Sequence, residues 1–287
     1  MTQLGRGQRA VILTAVFCII ITATLLAAWQ LYPDSKLLEI SVLDIGQGDA
    51  ILLEAPDGQV ILVDGGPDKK VLRRLGEELP FWERKIDLIV LSHPHEDHLA
   101  GLIPILDRYQ VGGVMITGVM STNTSYRHFL EMVTEKNIPL ILVEQVQTIA
   151  FDEVRLEIVY PQSSFRARRM SNINNSSIVL KVVYKEFELL LTGDAEEEQE
   201  HELLASGLNL QADILKAGHH GSDTSSTEDF VKSVDPELVL ISNGVGNSYG
   251  HPSPRTLKRL ERLGIPVRRT DQEGSITLRT DGQTIYE

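Results

Sequence analysis

The sequence contains little cysteine, no internal repeat and no excess of basic residues. Its one cysteine, Cys18, excludes an intramolecular disulfide and is compatible with an oxidising compartment without proving one. No proline- or serine-rich linker divides the 287 residues, which are enough to bury a full core. The formal net charge of −13 argues against a protein coated by nucleic acid, although it allows a local basic groove.

Charged residues are also absent between Arg9 and Asp34. The almost purely apolar segment Ala10 to Trp29 is long enough to cross a hydrocarbon core as a helix. Basic residues precede this segment, so the positive-inside tendency predicts that the N-terminus is cytoplasmic and that the rest lies outside the cytoplasmic membrane. We therefore expect a stub and membrane anchor over residues 1–33 and a single domain over 34–287, with a cleaved signal peptide as the alternative to the anchor.

The most informative motif is Ser92-His93-Pro94-His95-Glu96-Asp97-His98, which directly follows a strand-like apolar run, Ile86 to Leu91. In an H-x-H-x-D-H array on a tight loop, the first two histidines can bind one cation while the aspartate and the last histidine face a second. Imidazole and carboxylate ligands together suit zinc, manganese or iron. The motif therefore predicts two metal sites, with a surface loop rich in histidine as the bland alternative.

Two further predicted strand ends carry residues suited to the same centre. Leu189 to Asp194 is an apolar strand that ends on a carboxylate, and Asp194 would bridge the two cations unless it only caps the following helix. In Lys216 to Ser222, either His219 or His220 would complete the second metal site, and the other would orient substrate or donate a proton. Taken alone, such a histidine pair is more often a turn.

Two loops add candidate substrate contacts. His251 follows the predicted strand Leu238 to Ser242 and would reach the same rim as a substrate or general-acid residue, or else lie in an ordinary surface loop. The turn Asp44 to Ala50 is predicted to bring Gln47 and Asp49 close to the site. Arg166, Arg168 and Arg169 offer a cationic edge for a phosphate backbone, with a solvated loop as the alternative.

The order of predicted elements indicates an α/β (α+β) protein with a four-layer αββα sandwich, in which strand-end loops share one rim. An antiparallel meander opens the domain, alternating helices and strands follow, and a hairpin starts a second mixed half. The meander is predicted over Leu38–Asp44, Asp49–Glu54 and Gln59–Asp64, a helix over Leu99–Arg108, and the hairpin over Ser177–Tyr184 and Phe187–Thr192.

Together these motifs resemble the metallo-β-lactamase-fold superfamily, and within it the hydrolase domain of the ComEC/Rec2 competence proteins. The resemblance extends from Leu38 to the C-terminus and implies a dinuclear centre with zinc or manganese. The matching segments are DIGQGDA at Asp44–Ala50, VDGG at Val63–Gly66, SHPHEDHLAG at Ser92–Gly101, TGDAE at Thr192–Glu196, KAGHHGS at Lys216–Ser222 and YGHP at Tyr249–Pro252.

The sequence departs from the superfamily at one ligand. Most superfamily hydrolases have another histidine between the main array and the bridging aspartate, where this chain has Asn174-Asn175-Ser176-Ser177, as ComEC-like domains do. The first metal site then has fewer nitrogen ligands and should admit harder ions such as manganese. The chain also has one apolar segment in place of a many-helix channel, so any DNA transport would need a separate competence channel protein.

These observations predict a metal-dependent phosphodiesterase or nuclease that acts on DNA outside the cytoplasmic membrane. The cations would lower the pKa of a water for attack on phosphorus, Asp97 serving both as ligand and as catalytic residue. Asn174 and Ser177 would position substrate, and Lys216, His219 or His251 would stabilise the leaving oxygen. The rivals are a cell-envelope phosphodiesterase of the phosphorylcholine type and a membrane-tethered binding module with a vestigial metal site. The expected metal ligands are His93, His95, Asp97, His98, Asp194 and His220.

Overall fold

The computed structural model describes residues 6–31 and 37–286, and the chain divides into two units, Met1–Lys36 and Leu37–Glu287. The first unit contains helix α1, Arg6–Leu31, whose side chains are exposed where they are described, at residues 12–24. Among the described residues, none of the helices is both long enough and apolar enough to span a membrane. This finding gives no support to the predicted membrane span Ala10 to Trp29. The side chains at both ends of that span are outside the described residues.

Two large β-sheets make up the centre of the second unit. The first has the strand order β17-β16-β1-β2-β3-β5-β7-β8, the second has the order β15-β14-β13-β12-β11-β10-β9, and β4 pairs with β6 in a short ribbon. The strands are β1 (Leu38–Val42), β2 (Ile51–Glu54), β3 (Val60–Val63), β4 (Lys85–Ile86), β5 (Leu88–Val90), β6 (Gln110–Val111), β7 (Val114–Ile116), β8 (Leu140–Leu142), β9 (Gln147–Phe151), β10 (Val154–Tyr160), β11 (Val179–Tyr184), β12 (Phe187–Leu191), β13 (Ile214–Lys216), β14 (Leu238–Ile241), β15 (Val267–Arg269), β16 (Ile276–Thr280) and β17 (Ile285–Tyr286).

Helices cover the outer face of each sheet. Those of the second unit are α2 (Lys70–Glu78), α3 (Glu96–Leu99), α4 (Leu102–Arg108), α5 (Thr124–Glu135), α6 (Glu197–Ala205), α7 (Glu228–Val234), α8 (Pro254–Arg262) and α9 (Thr270–Glu273), with 3₁₀ turns at Asn174–Ser176 and Gly218–Gly221.

Three apolar clusters hold these layers together. Between the sheets, Ile40 and Val90 pack in one cluster with Leu180 and Leu240. The outer face of the first sheet packs against α2, α4 and α5, and that of the second sheet against α6, α7 and α8. Because each sheet buries one face on the other sheet and one on helices, its strands are apolar on both faces. The predicted αββα sandwich is confirmed.

Parallel pairing in both sheets places several strand ends at one edge. Strands β3, β5, β7 and β8 are mutually parallel in the first sheet, and β12 to β15 are mutually parallel in the second. The loops after β5, β12 and β13 carry the histidines and aspartates predicted as ligands. The fold therefore collects these residues from opposite sheets at a shared rim.

The observed elements differ from the predicted ones in two respects. In place of the single helix expected over Leu99–Arg108, α3 ends at Leu99 and α4 begins at Leu102. Between them, Gly101 packs closely on the Gly65 backbone, where a Cβ would lie 1.9 Å from the Gly65 carbonyl oxygen. Helix α2 and the β9–β10 hairpin lie outside the predicted set.

Candidate metal centre

Asp194 lies at the centre of the predicted ligands. Ligand atoms of His93, His95 and Asp194, the first group, all lie within 4.8 Å of one another, and those of Asp97, His98, Asp194 and His220 form the second group by the same measure. Asp194 Oδ1 is 3.2 Å from His98 Nε2 and 3.5 Å from His220 Nε2, whereas Oδ2 is 3.9 Å from His93 Nε2. The two carboxylate oxygens of Asp194 thus face different halves of the centre, which is the arrangement expected of a bridging ligand.

The polar atoms that face this centre are buried and lack hydrogen-bond partners. They are His93 Nε2, His98 Nε2, His220 Nε2 and Asp194 Oδ1. Unsatisfied buried polar atoms are rare in folded proteins, and four that converge on one point need a common explanation. Divalent cations would satisfy all four, so the residues fit a pair of metal ions.

Negative charge dominates the second half of the centre. Burial acts to lower the pKa of His220, but Asp194 and Asp49 raise it to about 10. The pKa of His98 is shifted in the same direction. Burial acts to lower it, but the nearby carboxylates raise it well above the ordinary value. For Asp194, burial is opposed by His220 and His98, which together lower its pKa. The centre therefore favours added positive charge, which a cation supplies.

His93 and His95 differ, since burial lowers the pKa of each ring below its ordinary value. Both rings are then neutral near pH 7 and retain the lone pair that a metal ligand needs.

Asp64, at the end of β3, holds the histidine array in place. It accepts hydrogen bonds from the backbone N–H of Ser92 at 2.7 Å and from the Ser92 hydroxyl at 2.7 Å, and its Oδ2 lies 2.8 Å from His98 Nδ1. A carboxylate on Nδ1 fixes the ring so that Nε2 faces the metal. Asp64 was not singled out as a site residue from the sequence, although the strand-end pattern Val63-Asp64-Gly65-Gly66 could have indicated it.

Lys216 and Asp49 form a buried ion pair behind His220. Lys216 Nζ lies 2.6 Å from Asp49 Oδ2 and also donates to the Ala217 carbonyl, while Asp49 Oδ1 lies 3.2 Å from His220 Nδ1. Both side chains are almost completely inaccessible to solvent. The expectations that Lys216 stabilises a leaving oxygen and that Asp49 binds substrate are inconsistent with this geometry, because neither side chain reaches the cavity. Both residues instead position His220.

Ser177 and Asn174 are likewise supporting residues. The Ser177 hydroxyl accepts a hydrogen bond from the Asp194 backbone N–H at 3.0 Å and lies 3.3 Å from His93 Nδ1. Asn174 Nδ2 donates to Glu196 Oε1 at 2.8 Å. Ser177 is fully buried, and its hydroxyl contacts the candidate ligands His93 and Asp194, so the structure shows it in a supporting position. Asn174 keeps one buried unpartnered atom, Oδ1.

An unusual backbone conformation sets the directions of the His219 and His220 side chains. His219 and His220 adopt φ angles of 47° and 54°, in the left-handed region that non-glycine residues seldom enter. Each such residue costs about 1–2 kcal/mol, so the surrounding fold must enforce the turn. His220 turns inward to Asp194 and Asp97, at 3.5 and 3.4 Å, while the partly exposed His219 has its Nε2 3.7 Å from Asp194 Oδ2. The inward His220 is thus the one placed as a ligand.

His251 lies beside His219. The two ring centroids are 5.2 Å apart, and burial, followed by the charge of His219, lowers the pKa of His251. The loop that carries it is tied down where Asn247 Oδ1 accepts the backbone N–H of His251. Gln47 instead lines a separate groove, where its carbonyl oxygen Oε1 accepts from the Gly244 backbone N–H.

A cavity of about 620 Å³ opens beside His95. Arg169 stands on one wall, Asn123 lies on the opposite wall, and Met120, Met170 and Ile173 provide apolar surface between them. Arg166, Arg168 and Arg169 are exposed, and no acidic side chain in the described part of the chain pairs with them. This cavity, the arginine cavity, therefore combines apolar surface with the cation of Arg169 and the carboxylate of Glu96 beside the candidate ligand His95.

Comparison with known proteins agrees with this site. The model of the metallo-beta-lactamase superfamily matches residues 43–244. The chain is 31% identical to ComE operon protein 3 of Bacillus subtilis (strain 168) over 84% of its own length and 33% of that protein. It is 30% identical to competence protein ComA of Neisseria gonorrhoeae over 83% of its length and 31% of that protein. These relatives confirm the resemblance to competence proteins, and the chain spans about a third of their length.

Among solved structures, the chain is similar in fold to CmlA, a diiron beta-hydroxylase from Streptomyces venezuelae. The TM-score is 0.56 at 16% identity, and the match covers 85% of this chain and 54% of CmlA. At that identity the likeness concerns the fold alone.

Proposed function

Since the chain belongs to the metallo-beta-lactamase superfamily, we propose that it is a metal-dependent hydrolase that cleaves phosphodiester bonds, with DNA as the substrate. The observation that carries this proposal is the convergence of four buried unpartnered atoms on two ligand groups that share Asp194. A structural metal site would be closed and would need fewer ligands, so the vestigial-site alternative is disfavoured.

In this proposal, His93, His95 and Asp194 hold one cation, and Asp97, His98, Asp194 and His220 hold the other. Bound cations of this kind polarise phosphoryl oxygens and make water acidic enough to provide a nucleophile near neutral pH. The first group has three ligands and one carboxylate among them. Such a group binds zinc less tightly than a three-histidine set would and accepts manganese more readily, so we propose manganese or zinc as the metal.

The protein's own candidate proton donors are the partly exposed His219 and the neighbouring His251. His219 has its Nδ1 3.1 Å from Glu196 Oε1, and about a quarter of its side chain is exposed. We assign His219 to the protonation or stabilisation of the leaving oxygen, with His251 next to it as the alternative donor.

The arginine cavity supports the choice of a phosphate-backbone substrate. Arginine binds phosphate oxygens through two parallel N–H groups, and Arg169 lines the same cavity as the candidate ligand His95. The apolar side chains of Met120, Met170 and Ile173 suit a nucleobase better than they suit a small polar headgroup. A phosphorylcholine-type ester remains the second substrate to be assayed.

We also propose that helix α1 anchors the chain in the cytoplasmic membrane, with the hydrolase unit on the outer side. Its large apolar side chains are exposed wherever they are described, among them Leu13, Phe17 and Ile19 at 69%, 64% and 67%. Exposed apolar surface of this kind needs a non-aqueous environment or a partner. A channel protein that delivers the strand would be a partner in this arrangement. Alkaline carbonate extraction of membranes, and protease accessibility from the outer side, test the anchor and its orientation.

The hydrolase proposal is tested with the full-length chain, stripped of metal and reloaded with manganese or zinc. Single-stranded DNA, bis(p-nitrophenyl) phosphate and a phosphorylcholine ester are the substrates. We expect reloading to restore cleavage of DNA and of the aryl diester, and Asp97→Asn to abolish it, whereas Asp107→Asn on the exposed face of α4 should have no effect. The proposal is wrong if no diester is cleaved, or if Asp97→Asn retains full activity; preferential cleavage of the choline ester would replace DNA as the substrate.

A further inference from the structure

A second groove, of about 400 Å³, shares none of its lining residues with the arginine cavity. Its walls are the turn around Gln47, the first turns of helix α2 and the loop after β14, and it is lined by Gln47, Lys70, Arg73, Arg74, Val245 and Asn247. We call it the Lys70 groove. One wall belongs to the Asp44–Ala50 turn, whereas Lys70, Arg73 and Arg74 lie outside the motifs named above, and none of the proposed ligands lines the groove.

Positive charge in this groove is only partly neutralised. Arg74 is paired with Asp44 at 2.6 Å and with Glu77 at 2.9 Å, and Arg73 approaches the same Glu77 at 3.7 Å on the exposed side. Lys70 has no acidic partner among the residues that the structure describes. In a chain of net charge −13, a groove with a surplus of basic side chains is a local exception.

The turn beneath the groove is shaped around the Lys70 ammonium. Gly46 has a φ of 87°, and a Cβ at this position would lie 3.3 Å from Lys70 Nζ. A side chain there would therefore crowd the ammonium away from the turn. Lys70 lines the groove beside this turn and is exposed, so its charge is accessible to a ligand there.

The walls of the groove are continuous with the candidate metal centre. Gln47 is followed by Gly48 and Asp49, and the Asp49 backbone N–H donates to the Asp97 carbonyl at 3.2 Å. On the other wall, Gly244 comes two residues after Ser242. The backbone carbonyl oxygen of Ser242 lies 3.0 Å from His220 Nδ1. A segment of three extended residues spans at most about 10 Å. Each wall of the groove is therefore within about 10 Å, along the chain, of a residue that contacts Asp97 or His220.

We propose that the Lys70 groove is a phosphate-binding subsite for a part of the substrate strand remote from the bond that is cut. This inference rests on the proposed function and deepens it: the substrate is a polyanionic strand that crosses the centre from the arginine cavity to the Lys70 groove. Tyr249, on the loop after β14 that carries Val245 of the groove, is 69% exposed and offers an aromatic face on which a base can stack. A small diester would leave this groove unused.

The test compares a strand with a small diester in the manganese-loaded full-length chain. Lys70→Gln removes the unpaired charge, and Lys136→Gln is the matched control, since Lys136 lies at the far end of α5 in an exposed pair with Asp107. For a single-stranded oligonucleotide of about 20 nucleotides, we expect Lys70→Gln to raise KM about 5-fold and to reduce the salt dependence of binding by about one phosphate contact. The ratio of kcat/KM for the oligonucleotide to that for bis(p-nitrophenyl) phosphate should fall by a similar factor.

Binding of the same oligonucleotide to Asp97→Asn chains, with and without Lys70→Gln, is measured in parallel by fluorescence anisotropy. This binding measurement tests the subsite even if the chain cleaves no substrate. Absence of cleavage would overturn only the hydrolase proposal. A weaker complex and a shallower salt slope for Lys70→Gln alone support the subsite. If Lys70→Gln and Lys136→Gln change oligonucleotide binding and KM equally, the subsite is refuted while diester hydrolysis can still stand.

Discussion

Lys216 Nζ lies 2.6 Å from Asp49 Oδ2, and this buried pair joins the two sheets behind the candidate metal centre. Lys216 ends strand β13 of the second sheet, whereas Asp49 belongs to the turn that precedes β2 of the first. Burial acts to raise the pKa of Asp49, but Lys216 and His220 lower it to about 2. The pair thus keeps a charged carboxylate against His220 and fixes the distance between the sheets at the rim.

Replacing Lys216 by methionine should therefore destabilise the fold rather than only slow the reaction. Asp49 would be left charged in the interior without its lysine partner, although His220 stays 3.2 Å away, and this loss costs up to about 3–5 kcal/mol of the free energy of unfolding. Urea unfolding of the metal-free chain measures the change. The double variant Lys216→Met/Asp49→Asn should recover part of the loss. A Lys216→Met chain with native stability but no activity would contradict the positioning role and restore a catalytic one.

Asp64→Asn should weaken metal binding without unfolding the chain. Asparagine tolerates the left-handed backbone at this position, where φ is 61°, and can still accept from Ser92, but it no longer places a carboxylate on His98 Nδ1. We expect the affinity for the second metal to fall about 10–100-fold. Competition with a chromophoric chelator gives the affinity, with Asp107→Asn as the control. Equal metal affinity in both variants would show that Asp64 does not orient His98.

The candidate ligands were accessible to sequence analysis because each motif directly follows an apolar strand. The His93–His98 array has its ligands close together in sequence, and strand ends of an αββα sandwich share one rim, so Asp194 and His220 could be assigned to the same place. The strand-end pattern could have indicated Asp64 as a site residue, but the specific contacts of Lys216 and Asp64 could not be predicted in the same way. Their burial depends on contacts with Asp49 and Ser92, which are 167 and 28 residues away in the chain.

The missed elements have a similar cause. Strand β9 is an edge strand with only one face on the core, and its residues alternate between half-buried and exposed, so its apolar signal is weak. Helix α2 has only nine residues and buries Val71 and Leu75 among several charges. Both elements are stabilised by tertiary packing more than by their own sequence propensity.

Gly48→Ala should damage the site, whereas Gly58→Ala should not. Both glycines have positive φ, at 127° and 87°, so both substitutions carry backbone strain of about 1 kcal/mol. A Cβ at Gly48 would also lie 2.1 Å from the Asp97 carbonyl oxygen, whereas a Cβ at Gly58 would meet no atom within 4 Å. The expected result is a larger loss of thermal stability and of manganese affinity for Gly48→Ala only. Equal effects in thermal melts and metal titrations would argue against close packing at Asp97.

Glu54 should make the fold less stable as the pH rises. Burial, together with Glu39 opposite it on β1 and Glu78, raises the pKa of Glu54 to about 7 from an ordinary value of 4.5. The native state then binds more protons than the unfolded state between these values, so stability is greatest below about pH 4.5 and falls as the pH rises through 7. Because Glu54 is partly exposed, the loss is about 1 kcal/mol after screening.

Glu54→Gln provides the corresponding measurement. It should unfold at a higher urea concentration than the native chain at pH 8 and at nearly the same concentration at pH 5, where Glu54 is already mostly protonated. Glu135→Gln, at the exposed end of α5, serves as the control. A Glu54→Gln effect that does not change between the two pH values would mean that Glu54 titrates normally.

The most direct test of the central claim is the number of metal ions bound per chain, measured by elemental analysis after equilibrium dialysis against manganese or zinc. The account predicts about two ions for the native chain, about one for Asp97→Asn, and weak binding at both positions for Asp194→Asn, since Asp194 is shared by both ligand groups. Asp107→Asn should retain both ions. An Asp194→Asn chain that still binds two ions, or a native chain that binds none, would contradict a dinuclear centre bridged by Asp194.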